Sequence, residues 1–207
     1  MENTKQRLVL ASGSPRRREL LTRAGVAFRC QPADVCESPL PGESPESLVR
    51  RLSALKAGQV AATCPGRIVL GADTVVVLDG QALGKPRDLA AARRMLAALS
   101  GRTHDVLTGV CLIGRDGAAQ SWVSRTAVTV RTLDAGAIER YLACVDVLDK
   151  AGAYAIQEHG EMVVAGVSGS WSNVVGLPVE EVVARLADMM RGDELNHGAG
   201  PKEASEP

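Results

Sequence analysis

This 207-residue sequence predicts an α/β fold: an extended mixed β-sheet flanked by helices, within one domain. Three observations point there. Apolar strand-like runs alternate with capped helical stretches, as βα units do. The longest β-branched runs are joined by hairpin turns, so the sheet is not purely parallel. No internal repeat or linker divides the chain, so residues 1–190 are read as one domain. The polar, Gly/Pro-bearing end, 191–207, is read as a disordered tail.

The first element is a short apolar strand at "RLVLAS", followed by a small-residue turn and a helix. Ser14 is a good N-cap, Pro15 suits the first helical position, and Gly25 stops "RRRELLTRAG". A short strand near "VAFRC" then leads into an irregular, proline-bearing loop. Ser44 and Pro45 repeat the helix-start formula, and Leu48, Leu52, Leu55 and Val60 form the apolar stripe of a second helix. "RIVLGADTVVVLDGQALGKP" reads as a β-hairpin turning at Asp79-Gly80. Asp88 caps a third helix that ends at Gly101. Two long strands follow, joined around Gly114-Arg115-Asp116-Gly117, and Asp134 caps "AGAIERYLACV". A loop around "DVLDKAGAY", a strand at "EMVVAGV", a Gly/Ser turn and a last helix from near Pro178 complete the order.

Composition narrows the function. With 45% apolar and 23% charged residues the chain has the balance of a globular protein. Its 24 basic and 24 acidic residues cancel, so global attraction to nucleic acid or an acidic membrane is not indicated and any anion site must be local. The scarcity of aromatic residues argues against a single-strand stacking platform. Five scattered cysteines without a CxxC pair suit reduced thiols, and neither a disulfide framework nor a zinc site. No apolar leader precedes "RLVL" and no run approaches membrane-spanning length, so a cytoplasmic protein is expected.

"ASGSPRRREL" sets three arginines at a helix N-terminus, where the helix dipole disfavours cations. A multiply charged anion between the arginines and the backbone N–H groups of the turn would reverse that sign. A solvated basic turn is the competing reading. In "IVLGADTVV", Asp73 interrupts an otherwise buried apolar strand, where a carboxylate is costly unless paired, hydrogen-bonded or metal-bound. It could equally begin a turn. Lys85 in "QALGKPRD" is a candidate phosphate contact, although GxxxGKP is not the P-loop spacing. Lys56 lies on the apolar side of the second helix, by default a snorkelling surface lysine. Glu37 could ligate a hard cation from the preceding loop. His104 and His159 have no metal-ligand spacing, and "GVSGS" is not a nucleophile elbow. Together, cations Arg16, Arg17, Lys56 and Lys85 with carboxylates Asp73 and Glu37 suit phosphoanhydride chemistry assisted by Mg²⁺ or Mn²⁺.

The blocks "LASGSPRRREL", "GADTVVVLDG", "LGKPRD", "LSGRTHDVLTGV", "LDKAGAYAIQ" and "SNVVGLP" resemble, in order and spacing, the Maf family of nucleotide pyrophosphatases. The resemblance implies a deep cleft between two lobes, as in Maf and ITPase-like proteins. It implies metal-dependent hydrolysis of a nucleoside triphosphate to monophosphate and pyrophosphate by water attack at the α-phosphorus. Asp73 matches the family's proton acceptor and is also placed to hold the metal, with Glu37 near that metal. Arg16, Arg17, Lys56 and Lys85 match positions along the phosphate path. The branch preferring dTTP and UTP resembles this chain at Arg16, Thr74 and Gln157; a glutamine offers both donor and acceptor to a pyrimidine edge. Glu158, His159, Glu161 and Trp171 depart from that pattern, which keeps the 7-methyl-GTP branch as an alternative. The family's association with septum formation offers another, a nucleotide-sensing cell-division regulator with little turnover. A homodimer is implied, with no stable nucleic-acid partner and no membrane.

Overall fold

The structure is a computed structural model that describes residues 8–197, and the side chains of residues 8–191. Seven strands form one mixed sheet: β1 (Leu8–Leu10), β2 (Phe28–Cys30), β3 (Ile68–Leu78), β4 (Gln81–Leu83), β5 (Thr103–Ile113), β6 (Ala119–Val130) and β7 (Val164–Ser168). The helices are α1 (Pro15–Arg23), α2 (Pro45–Ala61), α3 (Leu89–Leu99), α4 (Ala135–Cys144), α5 (Gly160–Val163), α6 (Trp171–Val175) and α7 (Val179–His197). Spatial order in the sheet is β2-β1-β3-β5-β6-β7. The first three strands are parallel and the rest antiparallel. The predicted mixed sheet is therefore the observed one, and the Asp79-Gly80 turn has both residues at positive φ, as a tight hairpin turn requires.

β3 is shared by two neighbours on one edge. β1 pairs with its start, at Ile68, Val69 and Leu70, and β4 pairs with its end, at Val76, Val77 and Leu78. The other edge pairs continuously with β5 from Val69 to Val77. Residues 71–75 thus face a fork in the sheet, and Asp73 lies at its middle. Alternation of side chains sends Asp73 toward the face covered by α2 and Thr74 toward the opposite face.

The core follows this division. Val9, Val69, Cys111, Ala57 and Val60 bury one end of α2 against the sheet, and Leu48, Val49, Leu52, Val75 and Leu107 the other. On the opposite face, α1 and α7 pack around Leu10, Leu70 and Leu112, whereas α3 and α4 pack around Val76, Val106 and Val128. Two glycines set how closely α2 approaches. A Cβ at Gly71 would lie 2.2 Å from the Ser53 carbonyl oxygen, and one at Gly109 would lie 2.1 Å from that of Val49. Gly109 is the register partner of Asp73, so helix backbone rests on the sheet beside the carboxylate.

Four expectations change. Leu55 is 45% exposed, because small residues Ser53 and Ala57 rather than another leucine face the sheet there. "EMVVAGV" is a helical turn through Val163 and a strand only from Val164. The Gly/Ser turn before the last helix contains α6, capped by Ser170, whose side chain accepts from the backbone N–H of Asn173. α7 continues to His197, past residue 190 where the tail was expected to begin; 198–207 lie outside the described residues.

The close approach of α2 generates a paired test. Gly109→Ala forces helix backbone away and is expected to destabilise the protein by roughly 2–4 kcal/mol. Gly58→Ala, at an exposed helical site with open space around it, should stabilise by up to about 1 kcal/mol. Urea-unfolding midpoints should move in opposite directions.

Candidate functional site

The fork opens into a cleft of about 630 Å³ lined by residues 11–14 and the start of α1, α2, the middle of β3, residues 84–85 and residues 149–151 and 154–157. Arg16, Arg17, Glu37, Lys56, Asp73, Thr74, Lys85 and Gln157 all line it. These eight candidate site residues are therefore brought to one cavity.

Its centre is an ammonium between two carboxylates. Lys56 Nζ lies 2.6 Å from Asp73 Oδ1 and 2.5 Å from Glu37 Oε1. Lys56 and Asp73 are each 8% exposed, so Lys56 is no snorkelling surface lysine. Glu37 is half-exposed at its tip, and the hydrogen bond from Lys56 draws its pKa below the ordinary carboxylate value against the opposing effect of burial. The positive charges of Lys85 and Arg17 act in the same direction.

The three arginines separate. Arg18 is exposed on α1. Arg17 is buried and spans the fork: Nε donates to the Gly176 carbonyl at 2.8 Å, one terminal nitrogen to Ser12 Oγ and the other to Thr74 Oγ1, both at 3.1 Å. Gly176 ends α6 at φ 130°, a conformation natural to glycine, and that turn aims its carbonyl at Arg17. Burial pulls the Arg17 pKa down while the charges of Asp73 and Glu37 push it back up; the group stays a cation. Thr74 is committed within this network, 2.9 Å from the Thr108 hydroxyl and 3.2 Å from the Gly176 carbonyl oxygen. Arg16 reaches across the cleft to Asp149, with Nη1 3.0 Å from Oδ2.

Sequence reasoning missed Lys150. It is 6% exposed, lines the cleft, and donates to the Asp146 carbonyl and to Asp149 Oδ1 at 2.8 Å. An Asp-Lys pair in a glycine-bearing loop reads as solvated; in the structure Gly152 packs on Val76 and lays this loop against the sheet. The segment is further pinned by Tyr141, whose hydroxyl accepts from the Ala155 N–H at 2.9 Å. His104 pins it too, with Nε2 2.8 Å from the Tyr154 hydroxyl. Gln157, half-buried two residues beyond Ala155, takes its place in the cleft from these contacts.

The fold and cleft together define an α/β protein whose cavity gathers cations around a pair of carboxylates. Five cations converge on one cavity of a chain whose net charge is zero. Comparison with known proteins makes the class specific: the chain belongs to the Maf family, whose model, described as Maf-like protein, matches residues 7–189. It is 54% identical over 179 residues to the dTTP/UTP pyrophosphatase of Myxococcus xanthus (strain DK1622), covering 86% of this chain and 90% of that protein. It is 51% identical over 185 residues to the dTTP/UTP pyrophosphatase of Moorella thermoacetica (strain ATCC 39073 / JCM 9320), covering 87% and 94%. Among solved structures, the nucleoside-triphosphatase / dITP/XTP pyrophosphatase of Mycobacterium abscessus aligns with a TM-score of 0.41 and 18% identity, over 62% of this chain and 76% of that one. Among the described residues, no helix is long and apolar enough to cross a membrane.

The buried histidine behind the cleft makes stability pH-dependent. Burial pushes the His104 pKa down to about 4, only partly countered by Asp105. The unfolded chain takes up this proton near pH 6.5, so between pH 6.5 and 4 it binds more protons than the fold does. Stability should therefore fall as pH drops through that window, by on the order of 3 kcal/mol from this residue. Denaturant midpoints from pH 7 to 4 should fall less steeply in His104→Gln.

Proposed function

We propose that the chain hydrolyses nucleoside triphosphates, dTTP and UTP foremost, to the monophosphate and pyrophosphate. The observation that carries this reading is the Lys56 ammonium held between Asp73 and Glu37 at the fork, inside a cavity lined by four further cations. The names of the relatives supply the base preference. In this reading Arg16, Arg17, Lys85 and Lys56 bind the phosphate oxygens, and the N-terminus of α1 adds its backbone donors. Asp73 orients a water for in-line attack on the α-phosphorus and accepts its proton. The new P–O bond forms as the bond to the α–β bridging oxygen breaks, and pyrophosphate departs toward the cations. The Gln157 amide, with one donor and one acceptor group, faces the O4 and N3–H edge of the pyrimidine. Thr74 acts by fixing Arg17, whose planar fork is thereby preorganised.

A divalent cation fits this donor set. Asp73 and Glu37 already converge on one positive charge, and among the described residues no third His, Cys, Asp or Glu joins them. Two carboxylates with the remaining positions left to water and substrate phosphates are what Mg²⁺ selects. When bound, Mg²⁺ or Mn²⁺ would be held by Asp73 and Glu37 and would neutralise charge on the phosphate oxygens.

The test is pyrophosphate release from dTTP, UTP, CTP, GTP, ATP and 7-methyl-GTP with Mg²⁺ or Mn²⁺. Release should be led by dTTP and UTP, and Asp73→Asn should lower kcat by about 10²–10⁴-fold while the nucleotide still binds. A lead by 7-methyl-GTP would overturn the base assignment. Binding without release from any nucleotide would overturn the enzymatic one.

A further inference from the structure

Glu37 reaches Lys56 from an irregular loop between β2 and α2, where no strand or helix fixes its position. Two ties on α2 hold that loop. At its start, Gln59 is paired with Asp34 in both directions: the Asp34 N–H donates to Oε1 at 2.8 Å and Nε2 donates to the Asp34 carbonyl at 2.9 Å. At its end, Arg51 grips Glu43 with two parallel bonds, Nε to Oε1 at 2.6 Å and Nη2 to Oε2 at 2.7 Å, and Nη2 also donates to the Ser38 carbonyl at 3.1 Å. Glu43 Oε2 accepts in addition from the Leu40 N–H, which closes the loop on itself. The Glu43 side chain is 7% exposed, although the loop around it is open to solvent. A bidentate pair with one partner covered is of the kind that fixes geometry, unlike a typical surface ion pair.

Arg51, Lys56 and Gln59 all project from α2, and α2 is seated on the sheet at Gly71 and Gly109. The same rigid element therefore carries the central ammonium and both anchors of the loop that delivers the second carboxylate.

We propose that the Arg51–Glu43 pair is a clasp that positions Glu37 over Lys56 and Asp73, and thereby sets the site's hold on its divalent cation. Neither residue lines the cleft, so both are positioning residues. The proposal rests on the pyrophosphatase reading only in its activity arm. With the clasp open, the Glu37 carboxylate is delivered by a loose loop, and part of its interaction with the cation is lost to ordering that loop.

The experiment uses the full chain and two readouts. In hydrogen exchange without nucleotide or metal, Arg51→Ala and Glu43→Gln should each speed exchange of the 35–43 loop about tenfold, with β3 and β5 unchanged. In pyrophosphate release, each should raise the half-activating Mg²⁺ concentration by about tenfold, Arg51→Lys should recover only part of that, and neither should add to the loss in a Glu37→Gln background. Unchanged loop exchange, or losses that add fully to Glu37→Gln, would overturn the clasp. Absence of pyrophosphate release from the unmodified chain would overturn the pyrophosphatase reading instead, and loop exchange would still decide the clasp.

Discussion

The Lys56 ammonium, wedged between the carboxylates of Asp73 and Glu37, is the interaction on which the architecture of the cleft depends. A carboxylate in the middle of an apolar strand costs several kcal/mol to desolvate unless a cation meets it. Lys56 supplies that charge from α2, and it can do so only because α2 lies at backbone contact distance from the sheet. Gly71 and Gly109 permit this approach. The sheet contributes the remaining condition by leaving residues 71–75 without a partner on one edge, between β1 and β4. The fork opens the sheet where the charge sits, so Asp73 is covered by protein and still faces a cavity.

Around this centre the cations divide the work by their surroundings. Arg17 is buried and held by Gly176, Ser12 and Thr74, with two of its five N–H donors left over, so it presents a fixed positive plane at the N-terminus of α1. Arg16 is held more openly by Asp149, and Lys85 is exposed on a stiff Gly-Lys-Pro turn. In the proposed reaction, a buried cation already fixed in this way lowers the reorganisation needed as phosphate charge shifts toward the leaving group. The arrangement lowers stability, since a buried guanidinium with mainly neutral partners is expensive to keep charged.

Most of the element order was legible in the sequence, because caps and hairpin turns are local chemistry. Ser14, Ser44, Asp88 and Asp134 each accept the backbone N–H bond their position calls for. The residues of the site were legible as types: an arginine cluster at a helix start and an acid in an apolar strand break local rules, and such breaks concentrate at functional sites. Their mutual geometry was not. Nothing within a short window of sequence ties Arg51 to Glu43, or signals that Lys150 in a loop is buried. The fork in the sheet is equally invisible, since it depends on β1 and β4 sharing one edge of β3 across more than 60 intervening residues. α6 escaped notice because five helical residues leave almost no periodicity to read.

In the proposed reaction the fork presents the α-phosphorus, and not the β-phosphorus, to the water held by Asp73. The most direct measurement is turnover of dTTP in ¹⁸O-labelled water with mass analysis of both products. Attack at the α-phosphorus leaves one labelled oxygen in the thymidine monophosphate and none in the pyrophosphate. Label in the pyrophosphate would mean attack at the β-phosphorus, and would contradict the assignment of Asp73 and the phosphate path together.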